Sequence, residues 1–238
     1  MEVSPYGLES LWQQGDVVIK SVALLLVAMS VASWFVIITR GVQLLRLRRS
    51  AALVGLRFWD ASSMAQGVER LGRDNPFAEL AQAGSAAMAH HATHQGHLHD
   101  QLSKSDWVTM SLRQGIDDAA GRLQQGMAVL ASVGSTAPFV GLFGTVWGIY
   151  HALVAIGTSG QAGIDKVAGP VGESLIMTAL GLAVAIPATF GYNALVRGNK
   201  STLAQLNKFG FDLHAWFVTG ARSGQGTSPA DPTLARST

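Results

Sequence analysis

Three side chains with hydroxyl or acid–base chemistry stand within long apolar runs of this 238-residue chain: Thr145, Glu173 and Thr178. A carboxylate facing lipid is expensive, so Glu173 belongs in a bundle interior, a water cavity or the interface, and carboxylates inside membranes often mark ion pathways. Its place a few residues into a helix also suits a wet position beside the positive helix N-terminus. The two threonines offer hydroxyls inside an apolar wall, although such a hydroxyl can equally bond back to a carbonyl of its own helix. No aspartate or glutamate lies centrally in any apolar run, so a proton path through these residues needs a titratable group from a partner.

The surroundings of the threonines are small. Gly134, Ala137, Gly141, Thr145, Gly148 and Ala152 recur at i, i+3 and i+4, as do Ser174, Thr178, Gly181 and Ala185, which gathers each set on one helical face. Such stripes let helix backbones approach closely where lipid gives no hydrophobic drive for association. They also suit the wall of a lumen, one stripe per protomer of an oligomer. Both readings stand at the level of sequence.

Other chemistries find less support. With no cysteine in the chain, disulfides, thiol nucleophiles and cysteine metal sites are excluded. Neither H-E-x-x-H nor G-x-S-x-G is present, so no catalytic residues are expected and the chain does not read as an enzyme. The tract HHATHQGHLH places His90, His91, His94, His97 and His99 at spacings that suit zinc or nickel. It lacks companion cysteines and an acidic ligand set, so no metal or cofactor is expected. His151 reads as an interfacial residue. A pI near 9.2 hints at nucleic acid, but no reading motif accompanies it and the basic residues adjoin apolar segments.

The elements that position these residues follow from hydropathy. At 48% hydrophobic and 13% charged, the chain is too apolar for an ordinary soluble domain, and three runs are long enough for helices that cross a membrane. The reading is an all-α integral membrane protein. Residues 1–16 precede the first span, residues 17–39, and contain no Lys or Arg, so they are expected to be a retained periplasmic segment. Residues 40–126 form a polar region rich in Ala, Leu and Gln, expected to hold two or three helices outside the membrane. Its last helix is expected to run unbroken from near Trp107 into the second span, residues 127–156, where Pro138 is expected to introduce a kink. A turn over 157–170 leads to the third span, 171–196, with Pro170 suited to its first turn. A helical extension, 197–220, and a disordered tail, 221–238, complete the chain.

Charge sets the orientation. Arg40, Arg46, Arg48, Arg49, Arg57, Arg70, Arg73, Lys104, Arg113 and Arg122 lie in the polar region, and Arg197, Lys200, Lys208, Arg222 and Arg236 in the tail, out of 17 Lys and Arg. Only Lys20 and Lys166 fall at the other face, so the positive-inside rule makes the large region and the C-terminus cytoplasmic.

The run ASVGSTAPFVGLFGTVWGIYHAL, residues 131–153, resembles the second span of the ExbB/TolQ/MotA proton-channel superfamily, most closely its ExbB and TolQ branches. The run VAGPVGESLIMTALGLAVAIPATFGYNALVRG, residues 167–198, resembles the third. With the first span and the loop order, the likeness covers about residues 10–215. It implies a bacterial inner-membrane homopentamer around a dimer of ExbD-like single-span helices whose aspartate carries the proton, with TonB downstream. It also implies that Thr145 and Thr178 face the pore, that Glu173 stands beside the lumen, and that Asn193 lies near the cytoplasmic exit. The segment LWQQGDVVIK, residues 11–20, looks more like ExbB than TolQ. A TolQ-like role in envelope maintenance, a flagellar stator and a non-conducting multipass scaffold are the alternatives.

Overall fold

A computed structural model describes residues 16–72, 75–93, 103–159 and 164–221. All regular structure among them is helical: α1 (Val17–Leu53), a π-helical turn (Val54–Phe58), α2 (Met64–Leu71), α3 (Pro76–Thr93), α4 (Lys104–Gln124), α5 (Met127–Ser159) and α6 (Ile164–Thr219). Three helical stretches are long and apolar enough to cross a membrane, lying within Val17–Ala52, Lys104–Thr158 and Ser174–Thr219. The protein is therefore all-helical, with three membrane-spanning helices. The N-terminal residues, most of the histidine tract and the C-terminal tail lie outside the described residues.

Helix starts follow local chemistry. Asp16 caps α1, its Oδ1 accepting from the N–H groups of Val18 and Ile19 at 2.9 Å each, which satisfies two of the free donors at the helix start. The Ser63 hydroxyl accepts from the Gln66 N–H at the start of α2. Asn75 accepts from the Phe77 N–H and donates to the Leu71 carbonyl, and Pro76 follows at the first position of α3, where proline loses no hydrogen bond.

Two boundaries differ from the sequence expectation. The helix expected to run unbroken into the second span stops at Gln124 and restarts at Met127. Gly126 has φ 81°, a left-handed conformation that glycine adopts freely and that helices use to end. The third long helix starts at Ile164, so Pro170 lies beyond its first turn, and it runs to Thr219 without a break.

The chain forms two compact units, residues 1–44 with 124–198, and residues 45–123 with 199–238. In the first, Val22 and Leu26 of α1 pack on Val133 and Ala137 of α5 and on Met177, Ala185 and Ala188 of α6. Its outer surface is apolar: Leu24, Val27, Val31, Phe35, Phe139, Val146 and Phe190 are exposed, as expected of helices solvated by lipid. The second unit has a water-type core. Phe77, Leu80, Val108, Leu206 and Leu213 are almost fully buried, and Phe209 meets the edges or faces of Phe58 and Phe77 with ring centroids 5.0 and 5.6 Å apart, an orientation favoured by the ring quadrupoles.

Candidate functional site

The site begins with glycines. A Cβ placed on Gly141 of α5 would lie 2.5 Å from the Met177 carbonyl oxygen and 3.0 Å from the Cα of Gly181 on α6. A Cβ on Gly181 would in turn lie 2.6 Å from the Ala137 carbonyl oxygen, and one on Gly148 would run into the Ser174 hydroxyl. The two helices thus touch backbone to backbone, as small residues permit. The stripes noticed in the sequence face one another within a single chain, and close packing accounts for their glycines.

This approach brings Thr145 and Thr178 together. Their hydroxyl oxygens are 2.6 Å apart, and Thr145 Oγ1 is also 3.1 Å from the carbonyl oxygens of Gly141 and Ser174. Thr145 is 5% exposed, whereas Thr178 is half-buried. A hydroxyl has one proton, so Thr145 can donate to only one of its three neighbours at a time. When it donates to a carbonyl, Thr178 must donate to Thr145, leaving the Thr178 lone pairs free. When Thr145 donates to Thr178, the Thr178 proton is free to point elsewhere. The pair can thus adopt two hydrogen-bond arrangements, and Thr178 is its outer member.

Of the other sequence candidates, Asn193 is not gathered at this pair. Glu173 lies on α6 immediately before Ser174, and its side chain is outside the described structure. Asn193 is exposed on α6, fifteen residues beyond Thr178 and so about 22 Å further along the axis at 1.5 Å per residue. Of the histidine tract, His90 stacks on the Trp107 indole at 5.6 Å. No group of three or more metal-ligating side chains occurs among the described residues.

Two tethers escaped the sequence reading. Asp16 Oδ2 accepts from the Trp147 indole N–H at 2.8 Å, joining the start of α1 to α5, with His151 Nε2 3.9 Å away. The Ile19 N–H and the Trp147 indole hold the Asp16 carboxyl below the usual aspartate value, helped by the Val18 N–H and the nearby imidazole. Asn199 of α6 donates to the Leu123 carbonyl oxygen at 2.7 Å, in the last turn of α4, where carbonyls lack intrahelical partners. The only sequence signal for either was a polar residue at the edge of an apolar run.

The profile of the MotA/TolQ/ExbB proton channel family matches residues 74–208, more than half of the chain. The chain is 45% identical over 215 residues to the biopolymer transport protein ExbB of Xanthomonas campestris pv. campestris, strain B100, covering 87% of this chain and 85% of that one. It is 40% identical over 210 residues to the ExbB of Neisseria meningitidis strain Z2491, covering 87% and 96%. The Tol-Pal system protein TolQ of Pseudomonas aeruginosa is 31% identical over 222 residues, covering 90% and 95%.

Proposed function

Because the chain belongs to the MotA/TolQ/ExbB proton channel family, we propose that it is the ExbB-type, pore-forming subunit of an inner-membrane motor that uses the proton gradient to energise TonB-dependent import. The ExbB-type assignment rests on one contrast: 45% identity to an ExbB against 31% to a TolQ, at similar coverage. In this reading copies of the chain assemble as a pentamer around a dimer of ExbD-like single-span helices, with TonB downstream and lipid outside. The Lys and Arg asymmetry supports a periplasmic N-terminus and a cytoplasmic C-terminus.

The threonine pair supplies the mechanism. A partner's aspartate must be neutral at some points of a cycle and ionised at others. A protonated carboxyl is a donor and an ionised one accepts only. With Thr145 donating to a carbonyl, Thr178 presents lone pairs to the protonated acid; with Thr145 donating to Thr178, the Thr178 proton meets the carboxylate. One buried hydroxyl lets the outer one match both states without moving the helices. Glu173 and Asn193 are the remaining proposed polar positions, Glu173 tuning proton entry electrostatically and Asn193 standing near the exit. Each charge crossing a potential of 100 mV releases about 2.3 kcal/mol, enough over several steps to bias motion of the central helices.

The test is growth of a deletion strain on siderophore-bound iron, scored beside detergent sensitivity, with wild type and Thr178→Val restored. Wild type is expected to rescue iron uptake. Thr178→Val, equal in shape and lacking the hydroxyl, is expected to assemble yet fail to rescue. Rescue of detergent resistance alone would move the protein to the TolQ-like role. Full function of Thr178→Val would remove the hydroxyl switch, and proton flux unchanged by loss of the whole chain would leave a scaffold.

A further inference from the structure

Thr189 of α6 is a polar side chain that neither the threonine pair nor the sequence motifs account for. Several hydroxyls elsewhere in the spans are satisfied by their own helices: Ser21 donates to Val17, Ser33 to Met29, Thr39 to Phe35 and Thr136 to Ser132. Thr189 makes no hydrogen bond among the described residues, although Thr136 and Thr145 show that a back-bond is open to a threonine in these helices. Its hydroxyl points instead toward Gly134 of α5, where a Cβ would lie 2.6 Å from Thr189 Oγ1. The absent side chain at Gly134 leaves room for it. The residue is exposed in the isolated chain, and in lipid a hydroxyl without a partner is costly.

Position on the helix says what such a hydroxyl meets. At 100° per residue, Thr178, Thr189 and Asn193 fall within about 60° of one another, spaced about 16 and 6 Å along the axis. Between Thr178 and Thr189 the same side carries the exposed, apolar Leu182 and Ile186. Thr189 is thus the first hydroxyl beyond an apolar stretch, one turn before Asn193.

We propose that Thr189 is a further polar position on the proton path, where its hydroxyl orders water between the apolar stretch and Asn193. This rests on the channel reading above. The hydroxyl itself is not ionised: it accepts from one water and donates to the next, so a proton arriving beyond Ile186 is met by hydrogen-bonded water. The partner is water, which a lipid-facing threonine would not hold.

The experiment uses the absence of native cysteine. Thr189→Cys and, as the neighbouring control, Phe190→Cys, 72% exposed in the isolated chain, are expressed as full chains in native membranes. They are treated with a small, charged methanethiosulfonate, which needs the thiolate and hence water. Labelling of Thr189→Cys with Phe190→Cys inert is expected; an inert Thr189→Cys, or equal labelling of both, overturns the proposal. In parallel, Thr189→Val is expected to assemble normally and lower iron-dependent growth several-fold, with Thr189→Ser restoring it. A wild-type Thr189→Val beside a defective Thr178→Val sinks the role of Thr189 and leaves the channel reading standing. If both valine variants behave as wild type, the hydroxyl mechanism falls with it.

Discussion

Replacing Gly141 by alanine puts one methyl group where two helix backbones meet. The added Cβ would stand 2.5 Å from the Met177 carbonyl oxygen, whereas ordinary contact begins at 3.4 Å. The helices must therefore part locally by about 0.9 Å, because a backbone atom, unlike the end of a flexible side chain, cannot turn aside. Overpacking of this kind costs about 1–3 kcal/mol. Thr145 lies one turn along α5, so the same separation stretches its 2.6 Å contact with Thr178 past the range of a hydroxyl hydrogen bond, at about 1 kcal/mol more. A total loss of about 2–4 kcal/mol is expected, together with loss of iron-dependent growth. Gly41→Ala is the control, since a Cβ there meets nothing within 4 Å and alanine favours a helix by about 1 kcal/mol. Thermal unfolding of the purified protein in detergent, followed by tryptophan fluorescence, reads both variants. A Gly141→Ala protein as stable as Gly41→Ala would refute the backbone contact and the threonine geometry that depends on it.

Two further outcomes follow from the tethers. The Asp16 carboxyl lies below its usual value in the folded chain, so the stability it contributes is complete above the unfolded aspartate value of about 4 and is lost as pH falls through the folded one. Asp16→Ala should therefore lower the melting temperature at neutral pH and flatten its dependence on pH below about 4; an unchanged acid limb would remove the tether. Asn199→Ala should cost about 1 kcal/mol by removing the donor to Leu123, and Asn199→Asp should cost more, since an acceptor then faces a carbonyl. Faster amide exchange at the end of α4 is the readout, and an aspartate tolerated as well as alanine would contradict the bond.

The local features of this fold were legible in the residues. Three apolar runs of sufficient length, helix-favouring composition and the arginines that follow residue 39 point to three spanning helices, because each signal depends on segments a few turns long. Thr145 and Thr178 stood out as hydroxyls in small-residue stripes. The interruption at Gly126 did not, since a glycine inside a helical pattern is ambiguous until its φ is known.

What the sequence determined, then, was that the chain is helical and which apolar runs are long enough to cross a membrane, and it singled out the side chains that are candidates for chemistry. Only the tertiary structure decided that the two stripes face each other, that Thr145 is the buried and Thr178 the outer hydroxyl, and that Asp16 reaches Trp147 131 positions away. The physical reason lies in the spans themselves. A helix that packs in water carries an apolar stripe that fixes its rotation, but a lipid-solvated helix is apolar on every side and its sequence leaves that rotation open. Rotation and register were set here by where backbones could touch, at Gly141 and Gly181, and the hydroxyl pair followed from that contact.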